Sequence, residues 1–139
     1  MRYMIIVKGN AASESGASPD PGPMQAMARF HEDLARAGVL LDASGLRPTS
    51  EGWKVRWARG GASVVDGPFT DDGAPVAGYT LIQVRSPEEA REWARRVPAP
   101  FGPASDGEIE VRRLHEPDDV APGPARDASR AMPGHGAPA

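Results

Sequence analysis

The sequence predicts an α+β fold, and three observations carry that expectation. Two stretches place apolar residues at three- and four-residue steps, the period of a helix lying on a core. Around them lie short runs that are apolar throughout or alternate with polar residues, the patterns of strands. Their order is strand, helix, strand, hairpin, strand, helix, strand, which makes two βαβ-like halves with the helices on one face. The expected architecture is a ferredoxin-like sandwich that dimerises through the sheet face its helices leave open.

Arg2 to Val7 is a nearly continuous apolar run and reads as a strand buried on both faces. Gly9 to Pro23 is rich in Ser, Ala, Gly and Pro and reads as a loop. Met24, Met27, Phe30, Leu34 and Ala37 then share one helix face, and Gly38 ends the helix as a C-cap. Val39 to Leu46 predicts the second strand, with Val39, Leu41 and Ala43 on one side and Leu40, Asp42 and Ser44 on the other. Trp53, Val55 and Trp57 alternate with Lys54 and Arg56, and Arg59-Gly60-Gly61 turns that strand back into Ala62 to Val65. A face with two Trp residues needs cover, which is the second reason to expect a dimer.

Val64-Val65-Asp66-Gly67-Pro68-Phe69-Thr70 ends the hairpin with the sharpest punctuation in the chain. Asp bonds the backbone ahead of it, Gly relaxes the backbone, and Pro restricts the residue before it. A Phe at the exit of such a turn needs a neighbour, so this loop is expected to pack, with Asp66 capping the turn. Gly78 to Val84 is the next strand. Ser86-Pro87-Glu88-Glu89 is a helix start, with Ser as N-cap, Pro at the first position and acids in the first turn. Ala90, Trp93, Ala94 and Val97 form its stripe before Pro98 stops it, and Glu108 to Leu114 alternates as the final strand.

Composition bounds the function. At 139 residues the chain suits one domain, and it has no Cys, which removes disulfides, thiolate nucleophiles and Cys-ligated zinc. A net charge of −3 argues against nucleic acid as a partner, because phosphate binding needs a clustered basic surface. No apolar run approaches the roughly 20 residues that span a bilayer. Met1 to Lys8 lacks a small-residue cleavage site and reads as a strand, so a cytoplasmic location without membrane contact is expected. From Pro117 to Ala139, Pro, Gly, Ala and Asp dominate and only Val120 and Met132 are sizeable apolar residues. That composition predicts a disordered tail after a domain of residues 1–116.

The ordered set Phe30-His31-Glu32-Asp33-Leu34, Ala37-Gly38-Val39-Leu40-Leu41, Gly45-Leu46-Arg47-Pro48, Asp66-Gly67-Pro68-Phe69, Gly78-Tyr79, Glu88-Glu89-Ala90, Glu92-Trp93 and Glu108 to Arg112 closely resembles the YciI-like superfamily, and within it the DGPF subfamily. The resemblance implies a dimeric α/β barrel of ferredoxin-like subunits. It also implies kinship with proteins that are mostly uncharacterised, with a few enzymes in the wider superfamily. The departures bear on function. Where the subfamily usually continues with Ala-Glu-Thr-Lys-Glu, this chain has Thr70-Asp71-Asp72-Gly73-Ala74, and its Gly-Glu-Gly-Leu is here Ala43-Ser44-Gly45-Leu46. The His and Asp positions of the YciI-like enzymes hold Met27 and Val39, so that dyad does not transfer.

Among the residues themselves, His31 and Asp42 are the acid–base candidates, because a His held by a carboxylate keeps one tautomer and moves protons near neutral pH. The plainer alternative is a boundary His bonded to water or backbone. Asp66 is a second orienting carboxylate; with Asp71 and Asp72 it forms a cluster whose spacing matches no calcium loop, so no metal and no cofactor is assigned. Tyr79, Arg47 and Phe69 are the ligand-binding candidates, with Arg56 and Arg112 as further guanidinium groups that either meet an anion or blunt a strand edge. His115 and His135 have no apparent partners and carry no assignment. The expected function is a homodimeric small-ligand-binding or regulatory-associated module. The alternative is a lyase, isomerase or dehalogenase using His/Asp chemistry in a barrel pocket.

Overall fold

Ile5, Leu34 and Ile82 lose essentially all contact with water, and the chain is arranged around them. They come from a strand, a helix and a second strand, and the computed structural model, which describes residues 1–69 and 73–134, shows how those elements meet. The elements are β1 (Arg2–Lys8), α1 (Ala11–Glu14), α2 (Pro21–Arg36), β2 (Leu40–Gly45), a 3-10 turn (Thr49–Glu51), β3 (Trp53–Ala58), β4 (Gly61–Asp66), β5 (Val76–Gln83), α3 (Pro87–Arg95), β6 (Ile109–Arg113), a second 3-10 turn (Pro117–Asp119) and α4 (Pro124–Ala131).

β2, β5, β1 and β6 lie in that order in a four-stranded sheet whose neighbours are antiparallel. This is an α+β arrangement consistent with the ferredoxin-like fold. The central pair is in register, with Tyr3 opposite Ile82 and Ile5 opposite Thr80. Alternation sends Tyr3, Ile5, Thr80, Ile82, Ile109 and Val111 to one face, where Phe30 and Leu34 of α2 and Ala90 and Trp93 of α3 complete the core. Met4, Ile6, Tyr79 and Leu81 point to the other face and are half-buried.

Both long helices start where their caps are. Ser86 accepts from the Glu89 amide at 3.1 Å, as the sequence expects of α3. Asp20 caps α2 by accepting from the Gly22 amide, and Pro21 takes the first position, so the helix begins three residues before the apolar stripe does. The expected loop at residues 9–23 also contains α1, closed by a capping box in which Asn10 and Ser13 satisfy each other's backbone amides.

Two expectations change. The register of β2 against β5 slips between Leu40 and Asp42. Leu41 is therefore 45% exposed instead of sharing a buried face with Val39, because a bulge inserts one residue and re-aims those around it. The second change concerns the β3–β4 hairpin. Its register, Val55 opposite Val64 and Trp57 opposite Ala62, puts the Trp residues on one face as expected. The hairpin nonetheless forms a two-stranded sheet of its own, outside the four-stranded one. The Trp face is thus a separate surface from the sheet face that the helices leave open.

In residues 117–134, where composition points to a tail, the structure has the second 3-10 turn and α4. Pro124 occupies the first helical position, and Arg126 and Arg130 both donate to Asp118. No residue of α4 is buried. The Arg2 guanidinium, 12% exposed, ties this segment back to β1 through both carboxylate oxygens of Glu116 and the Gly134 carbonyl.

Candidate functional site

The residues named from sequence fall into separate places. His31, on the inner side of α2, brings Nε2 to 2.8 Å from the Thr80 hydroxyl. Thr80 is buried in β5, and the Phe30 ring lies 5.9 Å from the imidazole, tilted to it. Loss of water at this boundary lowers the His31 pKa below its ordinary value, which favours the neutral ring. A neutral imidazole facing a hydroxyl is chemically competent to accept or pass a proton. Which of the two groups donates in the contact depends on the tautomer.

Asp42 is not its partner. The Asp42 carboxylate accepts from the Tyr79 hydroxyl at 2.8 Å and from the Ala43 amide at 2.9 Å. Tyr79 and Thr80 are consecutive in β5 and point to opposite faces of the sheet, so the His31 contact and the Asp42 contact lie on opposite sides of the backbone. The expected His31–Asp42 pair does not form, and the phenol of Tyr79 is engaged by Asp42 instead of being offered to a pocket. Sequence alternation places Asp42 and Tyr79 on facing strands, but strand order decides that they meet.

Arg47 is also occupied, by Glu51, in a fork with Nε–Oε2 at 2.7 Å and Nη2–Oε1 at 3.2 Å; this carboxylate raises the pKa of the exposed guanidinium. Arg112 pairs with Glu110 at 3.8 Å. Asp66 sits at the end of β4, opposite Trp53, and its carboxylate caps nothing among the described residues. Asp71 and Asp72 lie outside the described residues.

The Asp-Gly-Pro-Phe turn is held by Thr49, a residue that no spacing or motif singles out. Its hydroxyl donates to Glu14 Oε2 at 2.5 Å and accepts from the Phe69 amide at 3.2 Å, while its own amide donates to Glu14 Oε1 at 3.1 Å. The Gly67 amide reaches the Gly52 carbonyl at 2.9 Å. A Cβ on Gly67 would stand 1.8 Å from the Thr49 carbonyl oxygen. Gly is thus required by close backbone approach, and not by the positive φ that is the usual reason for a turn glycine. The Gly67–Pro68 peptide is cis. Phe69 is half-buried, with the Lys54 ammonium 4.4 Å from its ring centre, a cation–π contact. The loop packs, as expected, but through Thr49, Glu14 and Lys54 and not through a capping Asp66.

Asn10, at the start of α1, borders a cavity of about 300 Å³ together with Lys8, Ala74, Phe101, Asp106 and Glu108. Thus α1 joins this cavity to the motif loop, with Asn10 at one end and Glu14 at the other. None of the candidate residues His31, Asp42, Asp66, Tyr79, Arg47 or Phe69 lines it. The Asn10-Ala11-Ala12-Ser13 capping pattern was the one sequence signal for this corner. Among the described residues no three His, Asp or Glu side chains converge as a metal site, and no helix is long and apolar enough to cross a membrane.

Comparison with known proteins gives two findings. Residues 1–116 match the YCII-related domain. The chain is also 26% identical over 122 residues to "Uncharacterized protein R00369" of Rhizobium meliloti (strain 1021), a match covering 86% of this chain and 98% of that protein.

Proposed function

Because the chain belongs to the family of the YCII-related domain, we propose that it works as a cytoplasmic homodimer of the DGPF subfamily that binds a small ligand or partner in a regulatory setting. The observation that carries the dimer is the hairpin face. Trp53 is 67%, Trp57 80% and Val64 66% exposed, side by side on a two-stranded sheet. Covering two Trp rings is worth on the order of 5 kcal/mol per protomer, and an apolar patch of this kind marks an interaction surface. The open sheet face, with Met4, Ile6, Tyr79 and Leu81 at its centre, supplies the second contact, which makes the pair an α/β barrel. The Asp66–Phe69 motif supports the subfamily. Gly73 and Ser44, where that subfamily carries Lys and Glu, favour binding over chemistry by removing charged groups.

Sedimentation at micromolar concentration tests the dimer. The native chain sediments as a dimer, and the double variant Trp53→Ser/Trp57→Ser as a folded monomer. A native chain that is monomeric at that concentration overturns the proposal.

One observation favours the enzymatic alternative. Burial favours the neutral form of His31, the form in which an imidazole serves as a general base of the lyase, isomerase or dehalogenase kind. In that reading His31→Gln abolishes turnover of the substrate while the fold survives.

A further inference from the structure

Three segments of the chain converge on the cavity at the end of β1. Lys8 and Asn10 come from the exit of β1, Ala74 from the segment that leads into β5, and Phe101, Asp106 and Glu108 from the loop before β6. Loops brought together by a rigid sheet are where binding groups concentrate. Lys8 and Glu108 are neighbours across the sheet, the Lys8 amide donating to the Glu108 carbonyl at 3.0 Å. Their side chains do not pair. Among the described residues Lys8, Asp106 and Glu108 form no ion pair, although charges of both signs border the same concavity.

Asn10 adds a donor. Its Oδ1 is taken by the Ser13 amide at 3.0 Å, which leaves the side-chain N–H groups unused. Phe101 adds a half-buried aromatic wall. The volume lies at the small end of ligand pockets, so the occupant has few heavy atoms. We propose that this cavity binds a small zwitterion, a molecule carrying a primary ammonium and a carboxylate a few bonds apart, as an α-amino acid does. The ammonium is met by Asp106 and Glu108 beside the Phe101 ring, and the carboxylate by Lys8 and the Asn10 amide. Asp106 and Glu108 are exposed and Lys8 is half-buried, so an ion of one sign gains charge-assisted contacts with only part of the lining, and a ligand carrying both charges gains them at both ends. This inference rests on the ligand-binding part of the proposed function and is independent of the dimer.

The test is an NMR titration of the full isotopically labelled chain with free glycine and β-alanine, and with acetate and methylammonium as half-ligands. Gly9 and Gly107 also line the cavity, and the expected result is saturable movement of their backbone amides with a zwitterion. Each half-ligand should bind at least about tenfold more weakly, a difference of roughly 1.4 kcal/mol. Asp106→Asn and Lys8→Met should each weaken the zwitterion by a similar factor while leaving the remaining resonances in place. Acetate or methylammonium binding as tightly as the zwitterion overturns the ligand class. Zwitterion-induced shifts confined to other parts of the chain overturn the cavity but leave a ligand-binding protein. No saturable shift with either zwitterion overturns the proposal and leaves the dimer to stand on its own test.

Discussion

His31 and Gly67 show how a single residue takes its meaning from its neighbour. His31 has its pKa lowered by burial between its own helix and β5, so the folded state binds a proton less readily than the unfolded chain does. Stability therefore falls as pH drops below about 6.5, the unfolded value, and the loss is complete once pH is below the lowered folded pKa. Thermal denaturation of the native chain and His31→Gln between pH 7.5 and about 5 checks this; the variant should lack that part of the acid slope. Gly67 makes a different demand. The Thr49 carbonyl occupies the place of its missing Cβ, so Gly67→Ala has to push two backbone segments apart. The expected cost is about 1–3 kcal/mol, read as a lower midpoint in urea. A neutral result would mean that the turn relaxes freely.

At the level of elements, the motif loop, α1 and the 3-10 turn at Thr49–Glu51 behave as one polar clamp. None of the three has an extensive apolar face. The Thr49 hydroxyl links all of them, through Glu14 on one side and the Phe69 amide on the other. Thr49→Val keeps the shape and removes both bonds of that hydroxyl, which should cost about 1–3 kcal/mol because partly buried partners are left unsatisfied. Hydrogen exchange should show faster opening at Phe69 and at the amides of α1, while the core amides of β1 and β5 remain protected. Equal loss of protection over the whole chain would show that the clamp is part of the global unfolding unit.

For the whole molecule, the contrast is between a sheet-and-helix core and the segment after β6. Ile5, Phe30, Leu34, Val39, Ile82, Val84 and Ala90 supply the buried apolar surface, and none of them comes from residues 117–134. The later segment is held by charges: Asp118 with Arg126 and Arg130, and Arg2 with Glu116. The pairs that Asp118 makes, with its carboxylate largely exposed, contribute about 0–1 kcal/mol each. We therefore expect a chain ending at residue 116, which keeps the Arg2–Glu116 pair, to melt within a few degrees of the full one. A drop of about 8 °C or more would show that α4 docks on the domain.

What the sequence determined by itself is local and periodic. The order of the strands and of the two long helices, the α2 and α3 stripes, the Ser86 cap and the shared face of Trp53, Val55 and Trp57 follow from side-chain spacing and capping chemistry, which act over a few residues. What only the tertiary structure decided depends on residues far apart in the chain. Asp42 meets Tyr79 and not His31 because β2 pairs with β5 and alternation sends neighbours to opposite faces. The Trp face stands apart from the main sheet because β3 and β4 pair only with each other. Gly67 is required by a carbonyl eighteen residues earlier, at Thr49, and the opposed charges of Lys8 and Asp106 share a cavity only after three loops converge. Strand pairing and loop closure are settled by the free energy of the assembled core, and no window of the sequence contains both partners of such a contact.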